Sequence, residues 1–238
     1  MTESRQKWIA RIRWFAAEFL IVVVGILVAF SINSAWDTRG ERIREEAALV
    51  SLKNEFQASK QDLDQKLRVH NRRIASVRIL AGIGTKAFAV PSSDSLEAMI
   101  DILAGWMTYD PLLSTLGALE GSGDLSILRN EQLKMLIARY QSELGDLRET
   151  EAIHKRSVTE DVYEWFRQGP PMGTNQGNLP DHFARPTVEN TVPHLGSHRF
   201  QNLAAQESRN EFYVIAELER VGGTLDEILN LLEFLIDD

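Results

Sequence analysis

His194 and His198 stand four residues apart, the spacing at which two imidazoles on one helical turn can share a metal ion, and Asp181 and His182 lie in the same stretch. Leu195, Gly196 and Ser197 between them follow Pro193, which argues against a regular turn, so the stretch reads first as a solvated loop. Gly121, Ser122, Gly123 and Asp124 are glycine-rich like a phosphate cradle. No GK[ST] follows and no strand pattern precedes them, so their expected job is to reverse the chain between helices. Trp106, Met107 and Tyr109 could line a pocket, with core packing the favoured reading. His70 and His154 fall on apolar stripes and read as core or boundary histidines. No nucleophile sits in an elbow or beside a base, so neither an enzyme nor a bound cofactor is expected.

Glu18 is a different kind of candidate. It is the one ionisable side chain in the apolar run from Phe15 to Trp36, whose 22 residues at about 1.5 Å each match the roughly 30 Å hydrocarbon core of a bilayer. Glu18, Val22, Gly25, Ala29 and Asn33 recur at helical spacing, which places a carboxyl, two small residues and an amide on one face. That face is suited to a partner membrane helix or a second copy of the chain. The alternative for Glu18 is a position one turn inside the bilayer, snorkelling towards Arg11 or Arg13.

Trp14 and Trp36 bracket the run, as interface indoles do. A small-x-small pattern at Ala29, Phe30 and Ser31 offers a competing reading as a cleaved signal peptide. The length of the run and the missing helix breaker favour an anchor. Arg5, Lys7, Arg11 and Arg13 precede the run, against Arg39, Arg42 and Arg44 mixed with acids after it. This bias predicts a single-pass inner-membrane protein with residues 1–14 cytoplasmic, 15–36 in the membrane and 37–238 outside.

The outer part carries 22 Lys and Arg against 32 Asp and Glu, a net charge of −10, which disfavours nucleic acid as a partner. The chain has no cysteine, so disulfides and thiolate chemistry are excluded.

Helical periodicity dominates. Leu49, Leu52, Phe56, Leu63, Leu67, Ile74 and Val77 continue the membrane helix without proline until Gly82 and Gly84. Two short helices follow, one opened by Asp94 with Glu97 three residues on, the other by Asp110 with Pro111. Asn130 caps a long helix reaching about Gln168. Residues 169–198 hold five of the seven prolines and four glycines and predict a long loop. A last helix starts near Arg199 with the stripe Val214, Leu218, Val221, Leu225, Ile228, Leu232 and Leu235.

Three long helices of similar length predict an all-α, elongated up-down-up bundle, with the two short helices capping its far end. That path sets His70 and His154 at different heights. It brings the basic run Lys66, Arg68, Arg72, Arg73 and Arg78 against an acidic final helix from Glu217 to Asp238, and leaves the proline-rich loop beside the bilayer and the C-terminus far from it.

The segments EFLIVVVGILVAFSIN with Trp36, and ALEGSGDLSILRNEQLKMLIARY at Ala118 to Tyr140, resemble a family of uncharacterised bacterial single-pass membrane proteins, a domain of unknown function. Its members share a Glu-containing membrane helix ending in Ile-Asn and Trp, and a Ser-Gly-x-Leu turn before an Asn-capped helix. Ser34 and Asp37 depart from asparagines of that pattern. The resemblance implies the topology and no known activity. The expected role is a membrane-anchored interaction or assembly module. The competing classes are a tethered enzyme or metal-binding protein using the 169–198 loop, and an accessory subunit of a transporter.

Overall fold

A computed structural model describes the backbone of residues 2–173 and 184–237, and their side chains except those of 2–13, 15–18, 21 and 124. Every regular element of the described chain is a helix. Helix α1 (Thr2–Gly84) runs unbroken for 83 residues. It is followed by α2 (Ser93–Ala104), α3 (Ser114–Ser122) and a 3₁₀ turn (Asp124–Ile127). Then come α4 (Glu131–Ser157), a π-helical turn (Val158–Val162), α5 (Tyr163–Gln168), α6 (Val188–Leu195) and α7 (His198–Asp237).

The first half of α1 stands clear of the bundle. Phe19, Leu20, Val24, Ile26, Leu27, Val28, Phe30 and Ile32 are all exposed, and the first buried core residue on the helix is Leu49. Among the described residues no helix is long and apolar enough to cross a membrane. The described side chains cover the 15–36 run only in part, at Phe19 and Leu20 and continuously from Val22.

Ion pairs fix the direction of each leg. Lys53 meets Glu233 at 3.6 Å, Lys60 meets Asp226 at 3.2 Å, and Gln201 Nε2 donates to Ala81 O at 3.2 Å, so α7 is antiparallel to α1. Arg129, just before α4, reaches Glu41 at 3.4 Å, and Arg139 within α4 meets Glu227 at 3.3 Å, so α4 is parallel to α1. This corrects the up-down-up path. The two short helices are not a cap but part of a return leg, because residues 105–113 between them form no helix and carry the chain along about 27 Å of α1, from Arg73, which holds Gly105 O, to Glu55, which holds Thr115 N, an extended run that covers the length one more long helix would have needed. The chain therefore runs up, down through 93–128, up and down again. The end of α7 lies at the Leu49 end of the bundle, and residues 169–173 and 184–187 lie at the Gly84 end.

The caps differ in detail from expectation. Ser92, not Asp94, caps α2 by accepting from Ser95 N. The second short helix starts at Ser114 rather than beside Asp110, and Glu55 of α1 supplies its cap, accepting from Thr115 N at 2.6 Å and Leu116 N at 3.2 Å. Asn130 caps α4 as its position predicts, accepting from Leu133 N at 2.9 Å. Gly123, at φ 76°, ends α3 in the left-handed region open to glycine. A Cβ at Gly84 would lie 2.1 Å from Leu195 O, so glycine lets the end of α1 approach the end of α6.

The core is divided in two. One cluster gathers Leu49, Phe56, Tyr140, Leu144, Leu218 and Leu225; the other gathers Val77, Leu80, Leu96, Val162, Trp165 and Phe200. A layer of buried polar side chains separates them.

Candidate functional site: a buried ionic layer and the groove beside it

Each of the three long legs contributes to this layer from its apolar stripe. His70 and Arg73 come from α1, His154 and Ser157 from α4, and Glu207 and Glu211 from α7, all buried. The pairs are three or four residues apart, which sets both members on one helix face. His70 Nδ1–H donates to Glu211 Oε2 at 2.8 Å. Arg73 Nη2 donates to Glu207 Oε2 at 2.7 Å, and its Nε lies 2.6 Å from Glu211 Oε1. His154 Nε2 lies 3.0 Å from Glu211 Oε1 and 3.5 Å from Glu207 Oε2. Ser157 Oγ donates to Glu207 Oε1 at 2.6 Å. The π turn that begins at Val158 follows directly, and its Val158 and Val162 pack into the cluster of Val77, Leu80 and Trp165.

Charge balance accounts for the grouping. Burial opposes ionisation of Glu211, yet His154 and His70 overcome it and hold its carboxyl at about 2. Burial likewise opposes the charge on Glu207, and His154, Arg73 and Ser157 hold its carboxyl below the ordinary carboxylate value. Burial disfavours the His154 imidazolium, but the two carboxylates outweigh it and lift the ring above its usual value. Arg73 and protonated His154 thus offset two carboxylates. The guanidinium stands where a cation bridging Glu207 and Glu211 would bind, and among the described residues no group of His, Asp and Glu could hold a metal ion.

Arg73 also carries the layer outward. Its Nη1 donates to the carbonyls of Ile102 and Gly105, which fastens the start of the extended segment 105–113 to α1. Further along, Tyr109 N donates to the buried Glu151 of α4 at 2.9 Å, and Tyr109 Oη donates to Ser59 O at 3.1 Å beside Tyr140 Oη, also at 3.1 Å. Burial raises both phenols, Tyr140 to about 12. Burial also pushes Glu151 up to about 7, with the bond from Tyr109 N opposing it. Between this segment and α1 lies a groove of about 870 Å³, walled by Ala58, Asp62 and Lys66 on one side and by Trp106, Asp110 and Leu112 on the other.

The residues singled out from sequence fall as follows. His194 lies half-buried in the last turn of α6 and His198 opens α7 exposed, so the pair belongs to two helices. Asp181 and His182 lie outside the described residues, as does the Glu18 side chain. Val22, Ala29, Trp14 and Trp36 are exposed, nothing lies within 4 Å of a Cβ at Gly25, and Asn33 Nδ2 donates along its own helix to Asp37 at 3.1 Å. Trp106 and Met107 line the groove, whereas Tyr109 is core. His70 and His154, expected at different heights, lie with ring centroids 6.1 Å apart, because α4 is parallel to α1. Of the basic run, Arg73 meets α7 at Glu207 and Glu211, upstream of the expected acidic stretch, while Lys66 pairs along α1 with Asp62 at 3.7 Å.

Glu207 and Glu211 were missed although their spacing was readable. Extending the α7 stripe backwards from Val214 passes through both carboxylates to Leu203. No curated protein and no solved structure is significantly similar to the chain. A model of a family of unknown function matches residues 18–144, from the apolar run through the crossover and the first half of α4, and takes in both segments on which the resemblance rests. The chain therefore belongs to that family, DUF6090.

Proposed function

We propose that this protein is a membrane-anchored interaction module whose bundle is carried on α1 and receives a partner in the groove beside the 105–113 segment. The observation that carries the reading is the continuity of α1. One helix passes from an apolar stretch exposed on every side, Val24 to Ile32, into the bundle core at Leu49. Exposed apolar surface on that scale needs a covering, and the full run from Phe15 to Trp36 has the length for a bilayer. The cluster of Arg5, Lys7, Arg11 and Arg13 favours the N-terminus in the cytoplasm and the bundle outside. Within the run, Gly25 and Ala29 offer close backbone approach to a second membrane helix.

Reporter fusions after Asp238, read in intact cells together with membrane fractionation, test the topology. Activity from an extracytoplasmic reporter and retention after alkaline washing are expected, whereas activity from a cytoplasmic reporter alone reverses the orientation. Gly25→Leu with Ala29→Leu keeps the apolar length and is expected to weaken helix association in membrane crosslinking. The competing reading, a tethered enzyme or metal-binding protein using residues 169–198, is favoured if elemental analysis of the purified chain finds stoichiometric metal.

A further inference from the structure

A second, smaller cavity of about 120 Å³ opens beside the groove, and Trp106 and Met107 line both. Val69 and Ile102 supply its apolar walls, and His70 and Arg73 close it on the side of the ionic layer. The two polar residues are not equivalent. The Arg73 guanidinium is committed to Glu207, Glu211 and the carbonyls of Ile102 and Gly105. The His70 ring is held by Glu211 through Nδ1, and its Nε2 is buried with no hydrogen-bond partner.

We propose that this cavity is the anchor pocket of the groove and takes the side chain of a partner tyrosine, whose hydroxyl donates to His70 Nε2. The proposal rests on the reading of the groove as the partner-facing surface. The volume sets an upper limit, because it lies below the roughly 150 Å³ at which an apolar cavity holds a six-membered ring, so nothing larger than one ring enters and the stem of the side chain stays at the mouth. With the proton of the neutral ring on Nδ1 and given to Glu211, Nε2 is left as an acceptor and selects a donor at the ring's far end, since an occupant without one leaves it desolvated and unpaired. Arg73 in the wall disfavours a cationic side chain inside. Outside, Glu55, Asp62 and Asp110 line the groove against Lys66, with Lys155 4.0 Å over the Trp106 ring, so the acidic excess at the rim matches basic residues flanking the tyrosine. An aromatic anchor in a desolvated pocket, with charges at its rim, is the usual organisation of a binding hot spot.

The pocket can be probed without the partner. The full chain in detergent micelles, labelled with ¹⁵N at its five histidines, is titrated with p-cresol, the tyrosine side chain, and with 4-methylanisole, the same ring without the donor. p-Cresol is expected to shift the His70 Nε2 resonance saturably and to bind about 10-fold more tightly than 4-methylanisole, the size of one hydrogen bond. Val69→Phe, at a half-buried position that fills the cavity, is expected to abolish both. No saturable change at His70, equal affinity for the two probes, or an unchanged response in Val69→Phe overturns the proposal. If p-cresol binds as expected but no partner crosslinks to the groove, the pocket stands and the groove reading fails. If a partner occupies the groove equally well in Val69→Phe, the groove reading stands and the tyrosine anchor is wrong.

Discussion

His154 Nε2 lies 3.0 Å from Glu211 Oε1, and each side chain favours the charged form of the other. Their titrations pull stability in opposite directions. Glu211 is depressed from 4.5 to about 2 and Glu207 is depressed from the same value, so what they contribute is fully present above 4.5 and is lost as pH falls through their folded-state values. His154 is raised from 6.5, so its contribution is fully present below that value and is lost as pH rises through the folded-state value. Chemical denaturation across pH is expected to show His154→Gln removing stability at pH 6 and differing less from the parent as pH rises past the imidazole's titration. A constant difference between pH 5 and 9 would show that the ring acts only by packing.

Glu151 adds a second alkaline effect. Its carboxyl is raised from 4.5 to about 7, so the fold favours the protonated form and loses stability as pH rises through that interval. Glu151→Gln keeps an oxygen to accept from Tyr109 N and removes the ionisation. The variant is expected to be more stable than the parent at pH 8, by up to about 3 kcal/mol, and about equal to it at pH 4.5. Melting curves at the two pH values check this, and a variant that is less stable at pH 8 contradicts it.

Removing Arg73 leaves Glu207 and Glu211 buried without their permanent cation. Arg73→Met is expected to cost about 3–5 kcal/mol in urea denaturation and to free the 105–113 segment, seen as faster amide exchange at Tyr109. Adding Glu207→Gln and Glu211→Leu to Arg73→Met is expected to recover much of the loss, because a neutral layer carries no uncompensated charge.

The direction of α7 can be read by crosslinking, and the absence of cysteine removes any background. Lys60→Cys with Asp226→Cys is expected to join within one chain through a short bismaleimide, since the parent side chains meet at 3.2 Å. Arg73→Cys with Asp226→Cys is not, because the partners of Arg73 on α7 are Glu207 and Glu211. The reverse pattern restores the up-down-up path.

Helical periodicity alone locates the long helices and their buried faces, but it misses α6 (Val188–Leu195), which forms inside the expected 169–198 loop with Thr187 as its cap and Pro193 within it. Gly82 and Gly84 mark the end of α1, Asn130 caps α4, and the α7 stripe from Val214 to Leu232 is buried throughout. These are local properties, set by backbone conformation and by which side chains share a face. The sequence also carries the raw signs of the ionic layer: His70 and Arg73, His154 and Ser157, and Glu207 and Glu211 interrupt three apolar stripes at helical spacing. Which of them meet depends on the relative direction of the helices. That direction hangs on residues 105–113, whose extended backbone turns two short helices into a full return leg and so reverses both α4 and α7. Nothing in the residue types of a short connection states how far it travels. The carbonyls of Ile102 and Gly105 held by Arg73, and Tyr109 N held by Glu151, make that decision through contacts 29 to 42 residues apart, which exist only once the legs have packed.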